Sequence, residues 1–391
     1  MINFEYYTPT KVFFGKDTHQ NVGIIIKNYG YKKILLHYGG SSIKKNGLYD
    51  QITQSLNENN IEFVELGGAA PNPKVSLVRI GAEICKKENV EMVLAVGGGS
   101  VIDSAKVISI SALSDIDPWE FSAKRETPTN ALPLGTILTL SASGSEMSAS
   151  AVITNEEGLF KRGFNSDKNR PLFSILNPEL TYTVDKFQTG CGVVDIMMHT
   201  LERYFTKTKS VDLTDHLAEG LLKSVISAGE IAVENPTDYE ARATLMWAGS
   251  LSHNDLTGAG REVLLTCHQL EHELSGMYDF VAHGAGLSVI FPAWAKFVYK
   301  SNVEKFCQYA VRVWNIDMDF ENLEDTALKG ILATENYFKL LNMPVRLSEL
   351  NISDEKIEEM AEKCTFFGKR ILPCYLPLDK KEIIEIFELC L

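Results

Sequence analysis

The chain has 391 residues, with 38 Lys+Arg against 51 Asp+Glu and a formal net charge of −13. That length exceeds what one hydrophobic core serves, so two domains are expected, and 45% hydrophobic residues exclude a disordered chain. The acidic balance lacks the basic face of a nucleic-acid binder, and no stretch approaches the roughly 18 consecutive apolar residues of a membrane span.

The opening MINFEYYTPT has no basic segment followed by an apolar run, so a cytoplasmic protein is expected. Seven scattered cysteines without a CxxC pair read as reduced, mostly buried thiols. Residues 33–37 form a strand-like run that ends at His37 and leads into Gly39-Gly40, followed by a helical pattern through residue 57. A strand at 61–66, a Pro-Asn-Pro turn at 71–73 and an amphipathic helix over 75–88 come next. The run EMVLAV at 91–96 reads as a buried strand, ending in Gly97-Gly98-Gly99 and opening a helix at Ser100. Further strands are expected at 134–140 and 172–176. This alternation predicts a parallel sheet covered on both faces.

Beyond Asn177-Pro178 the strand signals fade. Helical periodicity dominates 186–391, interrupted at Gly258-Ala259-Gly260, Gly284-Ala285-Gly286 and 373–377. The expected architecture is an α/β N-terminal dinucleotide-binding domain with a Rossmann-like parallel sheet (residues 1–180), followed by an all-α metal-binding domain (181–391).

Two glycine turns suit phosphate. Gly98-Gly99-Ser100 joins a strand to a helix, where backbone N–H groups and the helix dipole favour an anion. It is neither the G-x-G-x-x-G fingerprint, since Ile102 stands at the last glycine, nor a Walker loop. At Gly39-Gly40-Ser41-Ser42 no acid is present to bond a ribose 2′-hydroxyl. Small residues, hydroxyls and the nearby Lys44 and Lys45 suit a 2′-phosphate instead, although, taken alone, a solvated loop with two surface lysines explains them better.

Four of eight histidines fall in one window. Asp195 and His199 are spaced i, i+4, as are His268 and His272, and His283-Gly284 reads as a helix opening after a loop. One carboxylate with two or three imidazoles is a common shell for Zn²⁺ or Fe²⁺. Taken singly, each histidine is as well explained by a surface or core role, and Glu202 and Glu271 read as ion-pair partners of His199 and His272. The zinc-peptidase motif is excluded, because Gln269 follows His268 where that motif needs Glu.

These segments together resemble the iron-containing (group III) alcohol dehydrogenases, and most of all their NADP-dependent butanol dehydrogenase branch. The resemblance runs through YGGSSIKKNGLYDQ, GGGSVIDSAK, TLSASGSEMSASAVITN, LNPELTYT, GVVDIMMHTLERYF, SHNDLTGAGRE and CHQLEHELSGMYDFVAHGAGLSVIFPAW. It implies that Asp195, His199, His268 and His283 hold one divalent metal ion (Fe²⁺ or Zn²⁺), with His272 near the reacting centre as a catalytic proton relay. It also implies that Gly98, Gly99 and Ser100 bind the pyrophosphate, with Asp103 beside the cofactor as a cofactor-binding and catalytic residue. Thr139, Ser143, Ser148 and Lys161 would line the cofactor cleft. The bare turn Gly39, Gly40, Ser41 and Ser42 stands where NAD-preferring relatives carry aspartate, which favours NADP(H).

The implied activity is an NADP(H)-linked alcohol dehydrogenase or aldehyde reductase acting on a short-chain aldehyde. The alternative within the fold is an NAD-linked polyol dehydrogenase of the glycerol dehydrogenase type. A homodimer through N-terminal edge strands is expected. Two departures stand out: His272 to His283 spans 11 residues, one more than relatives suggest, and Glu262-Val263-Leu264-Leu265 replaces an expected Gly-Asp-Trp.

Overall fold

The computed structural model describes all 391 residues. Eight strands form: β1 (Lys11–Phe14), β2 (Lys33–Tyr38), β3 (Glu62–Leu66), β4 (Met92–Gly97), β5 (Leu134–Leu138), β6 (Ser150–Asn155), β7 (Phe160–Asn165) and β8 (Phe173–Leu176). Six of them make one parallel sheet in the order β1-β8-β5-β4-β2-β3. Along β2 the side chains alternate between two cores, as the two-residue period of a strand requires. Ile34, Leu36 and Tyr38 join a core under the Val22–Asn28 and Leu48–Glu58 helices. Leu35 joins the opposite core, under the Val75–Glu88 and Gly99–Ser111 helices. Burial on both faces explains why β2 and β4 read as continuous apolar runs.

From β2 the chain crosses to β3 on one side, then returns to place β4 on the other side of β2. The carboxyl ends of β2 and β4 therefore flank a switch point, where open parallel sheets bind ligands. Gly39–Ser42 follows one of these ends and Gly98–Ser100 the other. Topology alone thus brings both glycine turns to one edge of the sheet.

The 134–140 run is strand only to Leu138, and the helical pattern before residue 57 is two pieces broken at Asn46-Gly47. The antiparallel hairpin β6–β7 was not expected from the sequence.

The chain packs as two compact units: residues 7–184 with 236–254, and residues 1–6 with 185–235 and 255–391. The first carries the sheet, and the Tyr239–His253 helix returns to it, so Met246 sits in the core that contains Leu35. The second is helical, with one isolated bridge between Leu372 and Leu378. Its Lys186–Tyr204 helix starts at Asp185, whose side chain accepts the Gln188 N–H at 2.7 Å, and is buried from Thr189 onward.

The Gly284-Ala285-Gly286 stretch opens a helix at His283, as expected, and the break in helicity lies before it at 278–282. The stretch forms the first turn of the His283–Val298 helix, because its glycines are there for close approach. A Cβ on Gly284 would lie 2.1 Å from the Cys191 carbonyl oxygen, and one on Gly286 would lie 2.8 Å from Glu271 Cγ.

Candidate metal centre and cofactor turn

Asp195 and His199 stand one turn apart on the Lys186–Tyr204 helix, both almost fully buried. The Thr266–Met277 helix brings in His268, and His283 heads the helix after it. Asp195 Oδ1 is 3.1 Å from His199 Nδ1, 3.6 Å from His268 Nε2 and 3.8 Å from His283 Nε2. Three imidazoles therefore face one buried carboxylate oxygen. Neither Asp195 Oδ1 nor His268 Nε2 has a hydrogen-bond partner. Leaving such atoms unpaired costs about 1–3 kcal/mol each, and a divalent cation satisfies both. The donor set fits Fe²⁺ or Zn²⁺.

Two further acids orient these rings. Glu202, one turn past His199, bonds His268 Nδ1 and also accepts the N–H groups of Cys267 at 2.5 Å and His268 at 3.2 Å. It thereby caps the Thr266–Met277 helix, whose own first residue is preceded by Leu265 at φ 48° with no capping side chain. Glu271 bonds His283 Nδ1. Each carboxylate fixes a ring so that Nε2 points inward, the usual support of a metal-ligating histidine. Glu202 thus bonds His268 where His199 is expected, and Glu271 bonds His283 while still grouping with the expected His272, because packing across helices adds partners that spacing along one helix does not. Burial, assisted by His268, pushes His199 down to about 4, which keeps it in the neutral form. Burial also opposes charge on His268, but Glu202 and Asp195 outweigh it and raise that ring to about 9.

His272 is half-buried, its ring 5.8 Å from that of His283, and it groups with Glu271 and His283 rather than with Asp195.

In the sheet unit, Gly98 is extended and Gly99 starts the 13-residue helix Gly99–Ser111. A Cβ on Gly98 would lie 3.2 Å from Leu140, and one on Gly99 would lie 2.3 Å from Ser143 Oγ. Side chains there would collide with Leu140 and Ser143, so glycine lets the segment after β5 pack against this helix N-terminus, whose free N–H groups suit an anion. Thr139 and Ser143 lie beside this turn: Thr139 donates its N–H to Gly97 O at 3.1 Å, and Ser143 O accepts from His253 Nδ1 at 2.8 Å.

Asp103 and Ser148 are committed to protein partners. Asp103 accepts from Ser145 Oγ at 2.5 Å and from the Val152 N–H at 3.0 Å, tying the loop after β5 and strand β6 to the glycine-turn helix. Ser148 accepts from Lys106 Nζ through both its hydroxyl and its carbonyl at 3.1 Å, and Lys106 also reaches Ser150 O at 2.6 Å. Lys106 is fully buried, and its signal in the sequence is a lysine three residues after Asp103 in the helix that opens at the glycine turn. Burial lowers it to about 8. Lys161 sits on β7, buried and opposite Thr154. Gly40, Ser41 and Ser42 are exposed at the end of β2.

Residues 9–178 match the family profile "Iron-containing alcohol dehydrogenase", and residues 189–391 match "Fe-containing alcohol dehydrogenase family, C-terminal". The chain belongs to the iron-containing alcohol dehydrogenase family. It is 44% identical over 389 residues, 99% of each chain, to NADH-dependent butanol dehydrogenase A of Clostridium acetobutylicum. It is 36% identical over 372 residues, 94% of each chain, to the NADPH-dependent aldehyde reductase YqhD of Escherichia coli. The crystal structure of NADH-dependent butanol dehydrogenase A from Thermotoga maritima superposes with a TM-score of 0.96 at 40% identity, covering 100% of this chain and 99% of that one. The protein is therefore an alcohol dehydrogenase whose family implies a nicotinamide cofactor and a metal ion. No helix is long and apolar enough to cross a membrane.

Proposed function

We propose that this alcohol dehydrogenase is a metal-dependent, NADP(H)-linked enzyme that reduces short-chain aldehydes such as butanal, working as a cytoplasmic homodimer. The observation that carries the reading is the convergence of His199, His268 and His283 on the unsatisfied Asp195 Oδ1. When bound, a divalent ion supplies Lewis-acid polarisation of the substrate oxygen, and the nicotinamide supplies or accepts the hydride.

The chain's own part is positioning and proton handling. Glu202 and Glu271 hold His268 and His283 in the tautomer that leaves Nε2 available. His272, from the same helix as His268, gives an imidazole proton to the product oxygen in reduction and takes one back in oxidation. Gly98, Gly99 and Ser100 receive the pyrophosphate, while Asp103 and Lys106 hold the wall around that turn. The acid-free turn Gly39–Ser42 supports a 2′-phosphate, and relatives carry both cofactor names. The seven free thiols suit a reducing compartment. The edge strand β1 and the half-exposed Phe4, Tyr6 and Tyr7 support the dimer, and light scattering that returned the mass of one chain would remove it.

The deciding assay follows NADPH oxidation with butanal, using enzyme stripped by chelator and reloaded with Fe²⁺ or Zn²⁺, with NADH in parallel. Turnover restored by metal, faster with NADPH, is expected. Turnover that survives complete stripping would sink the metal role, and a clear NADH preference would overturn the cofactor choice.

A further inference from the structure

A polar cluster stands at the carboxyl ends of β2 and β3. Glu65 Oε2 accepts the Tyr38 hydroxyl at 2.8 Å, and Oε1 accepts the Tyr49 hydroxyl at 2.6 Å. Lys44 Nζ lies 3.8 Å from Glu65 Oε2, 5.1 Å from the centre of the Tyr38 ring and 4.6 Å from that of Tyr49. The two rings meet edge to face at 6.0 Å. Gly67 makes room for Tyr38, because a Cβ there would come within 2.7 Å of the ring. The cluster is also tied to the acid-free turn. The Gly68 N–H donates to Gly39 O at 2.8 Å and the Ala69 N–H to Tyr38 O at 3.3 Å.

Lys44 follows Ser42 by two residues and, with Lys45, is a charge available to a 2′-phosphate on that turn. Here that charge is already matched by a carboxylate and seated over two aromatic faces. We propose that Glu65, held by Tyr38 and Tyr49, latches Lys44 away from the adenosine 2′-position and so sets the chain's choice between NADPH and NADH. The inference rests on the reading of Gly39–Ser42 as the adenosine-side turn.

The physical argument is one of exchange. The two cofactors differ at this position by one phosphate carrying nearly two negative charges. A free ammonium beside it would add a charge-assisted hydrogen bond. A latched one must first give up Glu65 and both rings, so most of that gain is lost. The result is a turn that admits NADPH sterically while keeping NADH competitive.

The test needs neither metal nor turnover. Calorimetric titration with adenosine 2′,5′-bisphosphate and with 5′-AMP is run on the full chain, on Glu65→Gln and on Glu65→Gln/Lys44→Ala. Glu65→Gln is expected to tighten the bisphosphate by about threefold to fivefold, the scale of one exposed charge contact, with AMP unchanged within about twofold. The double variant is expected to lose that gain. An unchanged ratio in Glu65→Gln overturns the latch while leaving the cofactor site intact. A gain that persists without Lys44 also overturns it, since Glu65 would then act by repulsion alone. Failure of the unaltered chain to bind either nucleotide, or NADPH and NADH followed by fluorescence, removes the cofactor reading and the latch with it. A melting temperature within a few degrees of the parent confirms that each variant is folded.

Discussion

Glu202 shows how one side chain serves two purposes, capping a helix and orienting a ligand. Glu202→Gln keeps the shape but removes the charge that holds His268 Nδ1–H. It is expected to weaken metal binding by about 10–100-fold with all four ligands intact. Metal content after dialysis against graded chelator reads this directly, and retention equal to the parent would refute it. His37 makes a different kind of prediction. Its Nδ1–H donates to Leu66 O at 2.8 Å and its Nε2 accepts from Ser104 at 2.5 Å, so the neutral ring is fully satisfied and a second proton has no partner. Burial lowers it from 6.5 to about 4. The unfolded chain therefore takes up a proton that the folded one refuses, and its contribution is complete above about pH 6.5 and lost as pH falls toward 4. The span corresponds to about 3 kcal/mol at most. Urea midpoints at pH 7 and pH 5 should differ less in His37→Gln than in the parent. The i, i+4 spacings pointed to Asp195, His199 and His268 as inward-facing residues on helices, which is how they lie. Glu202 and Glu271 were visible only as acids, because sequence proximity suggested rings on their own helices and tertiary packing chose others.

At the scale of elements, hydrophobic period revealed β2, β4 and the Val75–Glu88 helix to within a residue or two, since their burial is nearly uniform or strictly one-sided. The β6–β7 hairpin escaped because SAVITN and FKRGFN mix buried and half-exposed polar residues, and the pair is stabilised by its partner and by Asp103 rather than by its own pattern. Gly284 and Gly286 lie inside the helix that opens at His283 after a loop, not at the break itself. Glycine ordinarily breaks helices, but here the helix tolerates it because the Lys186–Tyr204 helix and Glu271 press against positions where a Cβ has no room. Gly284→Ala is accordingly expected to destabilise the protein by about 1–3 kcal/mol despite alanine's better helix propensity. The same shift displaces His283, so metal content should fall together with the melting temperature. A variant that melts at or above the parent temperature with full metal would refute the close-packing role.

For the whole molecule, the division of labour between the units follows from how the chain is threaded. A single cut near residue 180 does not describe it. The Tyr239–His253 helix has the same amphipathic rhythm as its neighbours, yet Met246 closes a core of the sheet unit. The sheet unit completes its two cores from its own residues. The helical unit converges three helices on Asp195 Oδ1, where that oxygen and His268 Nε2, two atoms able to ligate a metal, lie unsatisfied within reach of each other. An ion there cross-links the Lys186–Tyr204, Thr266–Met277 and His283–Val298 helices, so its binding energy is stability stored in that unit. At a free ion concentration of about 100 times Kd the stabilisation is about 2.7 kcal/mol, roughly a 100-fold change in the open population. Hydrogen exchange should therefore rise by up to about that factor in the core amides of these three helices when the metal is stripped. The amides of β2, β4 and β5 should exchange at unchanged rates. Acceleration spread evenly over both units would mean that the ion does not act as a local cross-link, and acceleration confined to the sheet strands would place the metal elsewhere.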